Sequence, residues 1–153
     1  MARSFTSKIA GLEGQDYWSR LESLGMFSQE RRRERNIIIF IWKLSRGLVE
    51  GYDLQFQENM RRGLLVVIPP MASPAVSAIV RAAFESSLKV KGGRLFNLIP
   101  KDLRDNRNTS LAAFKTGLDD WLKTVPDQPT VPGRQRAACT NSLIDQVAAM
   151  PPV

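Results

Sequence analysis

Histidine is absent from the 153 residues and cysteine occurs once, at Cys139. Those two scarcities exclude much chemistry. Without histidine there is no Ser-His-Asp or Cys-His machinery and no imidazole base. A zinc site built on Cys and His ligands cannot be assembled. A single cysteine forbids an internal disulfide, so the chain is not a stapled secreted scaffold. Only Arg134 and Arg136 flank Cys139 with charge, too little to mark it as a nucleophile. Long apolar runs are also missing. The longest is Ile37-Ile38-Ile39-Phe40-Ile41-Trp42, against the roughly 20 residues that span a bilayer. Gly92-Gly93 lacks the spacing and the following Lys-Ser/Thr of a nucleotide loop. The polar N-terminal stretch has no apolar signal core, and Glu13 and Asp16 follow too soon for a transit peptide. The expectation is an intracellular protein with no cofactor, no membrane contact and no small-molecule substrate.

What is present is positive charge. Lys and Arg number 22 against 15 Asp and Glu, a formal net charge of +7, and the excess lies in the first two thirds of the chain. Such a balance points to a polyanionic partner. Hydrophobic content of 43% is that of a globular chain rather than a disordered one.

Patterning predicts a mainly α-helical fold with one or two short strands. A first helix is expected from Asp16, as N-cap, to Leu24, with Gly25 as its stop. A second starts at Ser28 and stops at Gly47, with Ile37, Ile41, Leu44 and Leu48 on one stripe. Ile39, Phe40 and Trp42 lie off that stripe, so this helix is either central or docks on a partner. Leu64 to Ile68 reads as a strand halted by Pro69-Pro70. Pro74 to Phe84 reads as a helix, with Val76, Ile79, Val80, Ala83 and Phe84 on its apolar face. Leu88 to Lys91 alternates as a strand does, and Arg94 to Ile99 suits one helical turn before Pro100. A last long helix is expected from Ser110 to Val125, weakened by Gly117. A short helix could follow between Asn141 and Ala149. Three prolines and a glycine between Pro126 and Gly133 suggest a boundary. Residues 1–125 would be a helical thumb-like domain, and residues 126–153 an extended tether and loosely held tail.

The densest feature is Arg31-Arg32-Arg33-Glu34-Arg35. At 100° per residue, Arg31, Arg32 and Arg35 fall away from the apolar stripe, and Lys43 joins them further along. The planar fork of arginine matches phosphate oxygens in pairs, and four arginines at a helix start oppose its dipole. The competing reading is a solvated face partnered by Glu30 and Glu34. A more diffuse basic set holds Arg61, Arg62, Lys89, Lys91, Arg94, Lys101, Arg104 and Arg107. Gly117-Leu118-Asp119-Asp120 mimics the x-x-Asp-Asp hairpin of polymerases. Inside a helix its carboxylates diverge by 100° and cannot share a metal. Trp18, Trp42 and Trp121 sit on helical patterns and read as core rather than as stacking platforms.

An ordered set of short motifs runs along the chain. It comprises Phe5-Thr6-Ser7-Lys8-Ile9, Tyr17-Trp18-Ser19-Arg20-Leu21, Leu24 through Arg35, and Ile41-Trp42-Lys43. Arg94-Leu95-Phe96-Asn97-Leu98-Ile99-Pro100, Phe114-Lys115 through Leu118-Asp119, Val125-Pro126-Asp127-Gln128-Pro129 and Asn141-Ser142-Leu143 follow. In order and spacing this set resembles the region after the polymerase palm in non-long-terminal-repeat (LINE-type) retrotransposon reverse transcriptases. Ile99 departs from the leucine usual there, Gly117 interrupts the later helix, and Leu54 to Ser87 matches only loosely. The family is an RNA-directed DNA polymerase. The resemblance implies a thumb-like part that is non-catalytic alone and grips RNA or an RNA–DNA duplex through its backbone phosphates, beside a reverse-transcriptase core. The residues for that grip would be Arg31, Arg32, Arg35, Lys43, Arg61, Arg62, Lys89, Lys91 and Arg94. Two rival readings are a module that docks Ile39, Phe40 and Trp42 on a polymerase core or another copy, and a relic of a mobile element with no biochemical role.

Overall fold

A computed structural model describes residues 5–52, 54–59, 64–68, 77–105, 108–129 and 141–150. The fold is mainly helical. Among the described residues the elements are α1 (Tyr17–Ser23), α2 (Gln29–Ser45), β1 (Phe56–Asn59), β2 (Leu64–Val67), α3 (Ala78–Glu85), α4 (Leu88–Leu98), α5 (Lys101–Asp105), α6 (Leu111–Thr124) and α7 (Leu143–Ala149). The two strands pair antiparallel, with Phe56 opposite Val67 and Asn59 opposite Leu64. The chain divides into two compact units. One holds residues 1–33 and 125–153, the other residues 34–124. Helix α2 begins in the first and continues in the second.

In the first unit, the Asp16 side chain accepts from the backbone N–H groups of Trp18 and Ser19 and caps α1. Gly25 follows with φ +60°, a left-handed stop that suits glycine. Ser28 caps α2, its Oγ accepting from Arg31 N at 3.1 Å. An acid then reaches this helix start from far along the sequence. Asp127 accepts from Ser28 N at 2.6 Å and from Ser28 Oγ at 2.7 Å. Asn141 donates to both, at 2.8 Å to Ser28 Oγ and 3.1 Å to Asp127 Oδ1. Gln146 Nε2 donates to the Gln128 carbonyl at 3.0 Å, and Leu143 is fully buried. The described part of the expected tail is therefore fastened, not loose: α7 supplies a core residue and Asp127 a capping charge. Residues 130–140, including Cys139, Arg134 and Arg136, lie outside the described residues.

In the second unit, α2 buries Ile38, Ile41, Trp42 and Leu44, and Trp42 stacks on Phe114 of α6 at 4.6 Å. The buried face is thus turned from the expected stripe, and Leu48, assigned to it, is 60% exposed. Gly47 ends the helix with φ +66°.

The expected strand at Leu88 to Lys91 is the first turn of α4, capped by Ser87. Two features overrode the alternation. Ser87 satisfies an N-terminal donor, and Gly92 and Gly93 are buried inside the helix rather than ending a strand. A Cβ on Gly92 would stand 3.0 Å from Ile41 Cδ1, so the glycine sets how closely α4 approaches α2. Gly117 in α6 has a similar role: a Cβ there would meet Leu103 of α5 at 2.6 Å. Asn97 of α4 donates from Nδ2 to the Val67 carbonyl at 2.8 Å and accepts from Val67 N at 3.0 Å, holding β2 as a third strand would. Helix α3 buries none of its residues, and Ile79 and Val80 are 84% and 53% exposed.

Candidate nucleic-acid interface

The arginine run splits by depth. Arg31 is fully buried. It donates to the carbonyls of Val125 and Pro126, the latter at 2.6 Å, and lies 3.8 Å from Asp127 Oδ1. Its expected role on a phosphate-binding face is corrected: this guanidinium ties two stretches of the first unit together. The error lies in the assumed stripe. With Ile38 and Ile41 at the centre of the buried face, positions 31 and 34 lie on its N-terminal extension, and both are fully buried. Arg33 is exposed, and Arg32 is half-buried.

Glu34, buried in the second unit, takes Lys91 as its partner at 3.4 Å. Lys91 is therefore engaged internally, and it does not share a strand face with Lys89. Arg94 pairs with Glu85 at 2.5 Å on the surface. Lys89 is exposed and lies 5.9 Å from the ring of Tyr52. Arg104 is buried and donates to the Asn97 carbonyl at 3.0 Å; burial lowers its pKa. Arg61, Arg62 and Arg107 lie outside the described residues.

One place in the second unit gathers what remains. Arg35, Asn36, Ile39, Phe40 and Lys43 of α2 and Lys115 of α6 line an open groove of about 310 Å³. Helical geometry orders its wall. Arg35, Ile39 and Lys43 are successive i, i+4 positions, so the cations stand about 12 Å apart along the axis with apolar surface between. Asn36 and Phe40 form the adjacent ladder. Arg35 donates from Nε to Asp119 Oδ1 and from Nη2 to Asp119 Oδ2, the second contact at 2.7 Å. This hydrogen bonding raises the pKa of Arg35, which stays charged. Lys43 and Lys115 have no carboxylate partner among the described residues. Phe40 packs nearly perpendicular to Tyr52 at 5.8 Å, which fixes the ring.

Lys115, Asn36 and Asp119 are the residues sequence reasoning left out of the site. A signal for two of them existed: Lys115 and Asp119 each follow a buried α6 residue, Phe114 and Leu118, and so flank its core face one turn apart. The docking set is also corrected. Trp42 is 2% exposed and Ile39 7%, and Phe114 of α6 already stacks on Trp42, which was expected to await a partner. Only Phe40 of the three stays half-open. Asp120 reaches Lys123 on the surface, and no group of three His, Cys, Asp or Glu is placed to hold a metal ion among the described residues. Nor is any helix among them long and apolar enough to cross a membrane.

No protein-family model, curated protein or solved structure matches the chain.

Proposed function

We propose that this chain is a nucleic-acid-binding module, non-catalytic by itself, that holds a strand by its phosphates on the α2–α6 groove, as the thumb-like part of a LINE-type reverse transcriptase would. The observation that carries this reading is the pair Lys43 and Lys115. They stand on two helices, face one groove, and have no carboxylate partner among the described residues. Two cations without acids, beside a third already balanced by Asp119, suit an external anion rather than an internal ion pair. The net charge of +7 supplies long-range attraction to the same class of partner.

Binding of this kind releases counterions, so affinity falls steeply with salt and depends little on sequence. The test is a salt titration of binding to a labelled RNA strand by fluorescence anisotropy. The expected log–log slope is negative, and shallower by about 1.4 in Lys43→Ala/Lys115→Ala, since each single-strand phosphate contact contributes about 0.7. A flat slope in the unaltered protein would contradict the proposal. Arg31 has no part in this test, because it is buried and bonded within the first unit.

A further inference from the structure

Resting on that reading, we infer that the groove takes an unpaired nucleotide, with its base on Phe40 and its flanking phosphates on Lys43 and Lys115, rather than the outside of a duplex. A half-open aromatic ring beside unpaired cations carries the argument. Phe40 and Lys43 of α2 line the groove together, while Arg35 is taken by Asp119 and Ile39 is buried. The Phe40 ring supplies the aromatic surface, with Tyr52 against it at 5.8 Å. Lys115 supplies the opposite wall.

A duplex presents phosphates and sugars outward and keeps its bases stacked inside. Against a duplex the Phe40 ring would meet only polar backbone, whose lost hydration the ring cannot replace with hydrogen bonds. An unpaired strand presents both chemistries at once, a base for the ring and phosphates for the cations. Every base has a π-face, so an aromatic floor receives any of them. Asn36, one turn before Phe40 and also in the lining, offers an amide donor and acceptor to a base edge. A groove of about 310 Å³ is at the lower end of the size range of small-ligand sites, enough for one such unit and not for a helix of nucleic acid.

The experiment compares three probes on the unaltered protein: a fluorescein-labelled oligouridylate, the same strand with abasic residues, and its duplex with oligoadenylate. The intact strand is expected to bind about tenfold more tightly than the abasic one, the size of one base–aromatic contact, and more tightly than the duplex. In Phe40→Ala that advantage over the abasic strand should vanish while the salt slope stays as it was. Equal binding of intact and abasic strands, or a preference for duplex, overturns the inference and leaves phosphate binding standing. Absence of salt-dependent binding to all three overturns the proposed function itself. The comparison of probes needs no variant, so a folding defect in Phe40→Ala does not blunt it.

Discussion

Arg31 and Lys43 lie three turns apart on one helix and carry the same charge, yet they serve opposite ends. At the start of α2 the guanidinium is spent inward: Arg31 is fully buried, donates to two carbonyls and is faced by Asp127. In the last turn of α2 the ammonium of Lys43 is left to the groove, with no acid beside it among the described residues. The local density of arginine therefore says little about where charge is free. What decides is the phase of each residue against the buried face, and whether another segment brings an acid to it.

Three substitutions and a pH series sharpen that contrast, from the largest effect to the smallest. Replacing Arg31 by alanine leaves the Val125 and Pro126 carbonyls short of a donor and removes the cation 3.8 Å from Asp127, and should cost about 3 kcal/mol or more in urea unfolding. A loss below about 0.5 kcal/mol, the range of surface substitutions, would show the clasp to be incidental. Gly92→Ala comes next. On an open helix it would gain up to about 1 kcal/mol. Here the new methyl meets Ile41, itself fully buried, at 3.0 Å, so a net loss of about 1 kcal/mol is expected. A gain would mean that α4 and α2 are not in close contact at this point. Asp119→Asn should act on binding: it frees Arg35 and steepens the salt slope by about 0.7 for a single strand. An unchanged slope would place Arg35 outside the binding surface.

The smallest effect concerns Asp16. Hydrogen bonding from Ser19 and the α1 backbone lowers its pKa in the folded chain. The ionised cap thus contributes stability above the ordinary aspartate range, and that contribution is lost as the pH falls through the depressed folded value. Asp16→Asn keeps a capping oxygen but cannot titrate. Thermal melts should therefore depend less steeply on acid pH in this variant, and parallel curves would rule the capping charge out as a source of acid sensitivity.

The helices of this chain were largely legible because their punctuation is strong. Asp16, Ser28, Gly25 and Gly47 stand where caps and stops are expected, and the apolar face of α6 holds from Phe114 to Leu122. The strand reading at Leu88 failed because alternation over four residues is a weaker signal than a serine cap and a helix–helix contact that needs glycine. The partner strand of β2 went unread, since Phe56-Gln57-Glu58-Asn59 carries little β-branching to announce it. The groove was half legible. Arg35, Lys43, Ile39 and Phe40 were all singled out, but as two separate surfaces, one for phosphate and one for protein. Their union depends on α6 lying across Trp42 and bringing Lys115 and Asp119 to α2, a long-range packing fact with no local signature. The fate of Arg31 depends in the same way on Asp127, which is remote in sequence.

Where a bound strand actually lies tests all of this most directly. Ultraviolet cross-linking of a 4-thiouridine-containing strand, followed by peptide mapping, should place the adducts on the α2 segment from Asn36 to Lys43 and on the peptide containing Lys115. Adducts confined to other peptides, with none on either wall of the groove, would contradict the account.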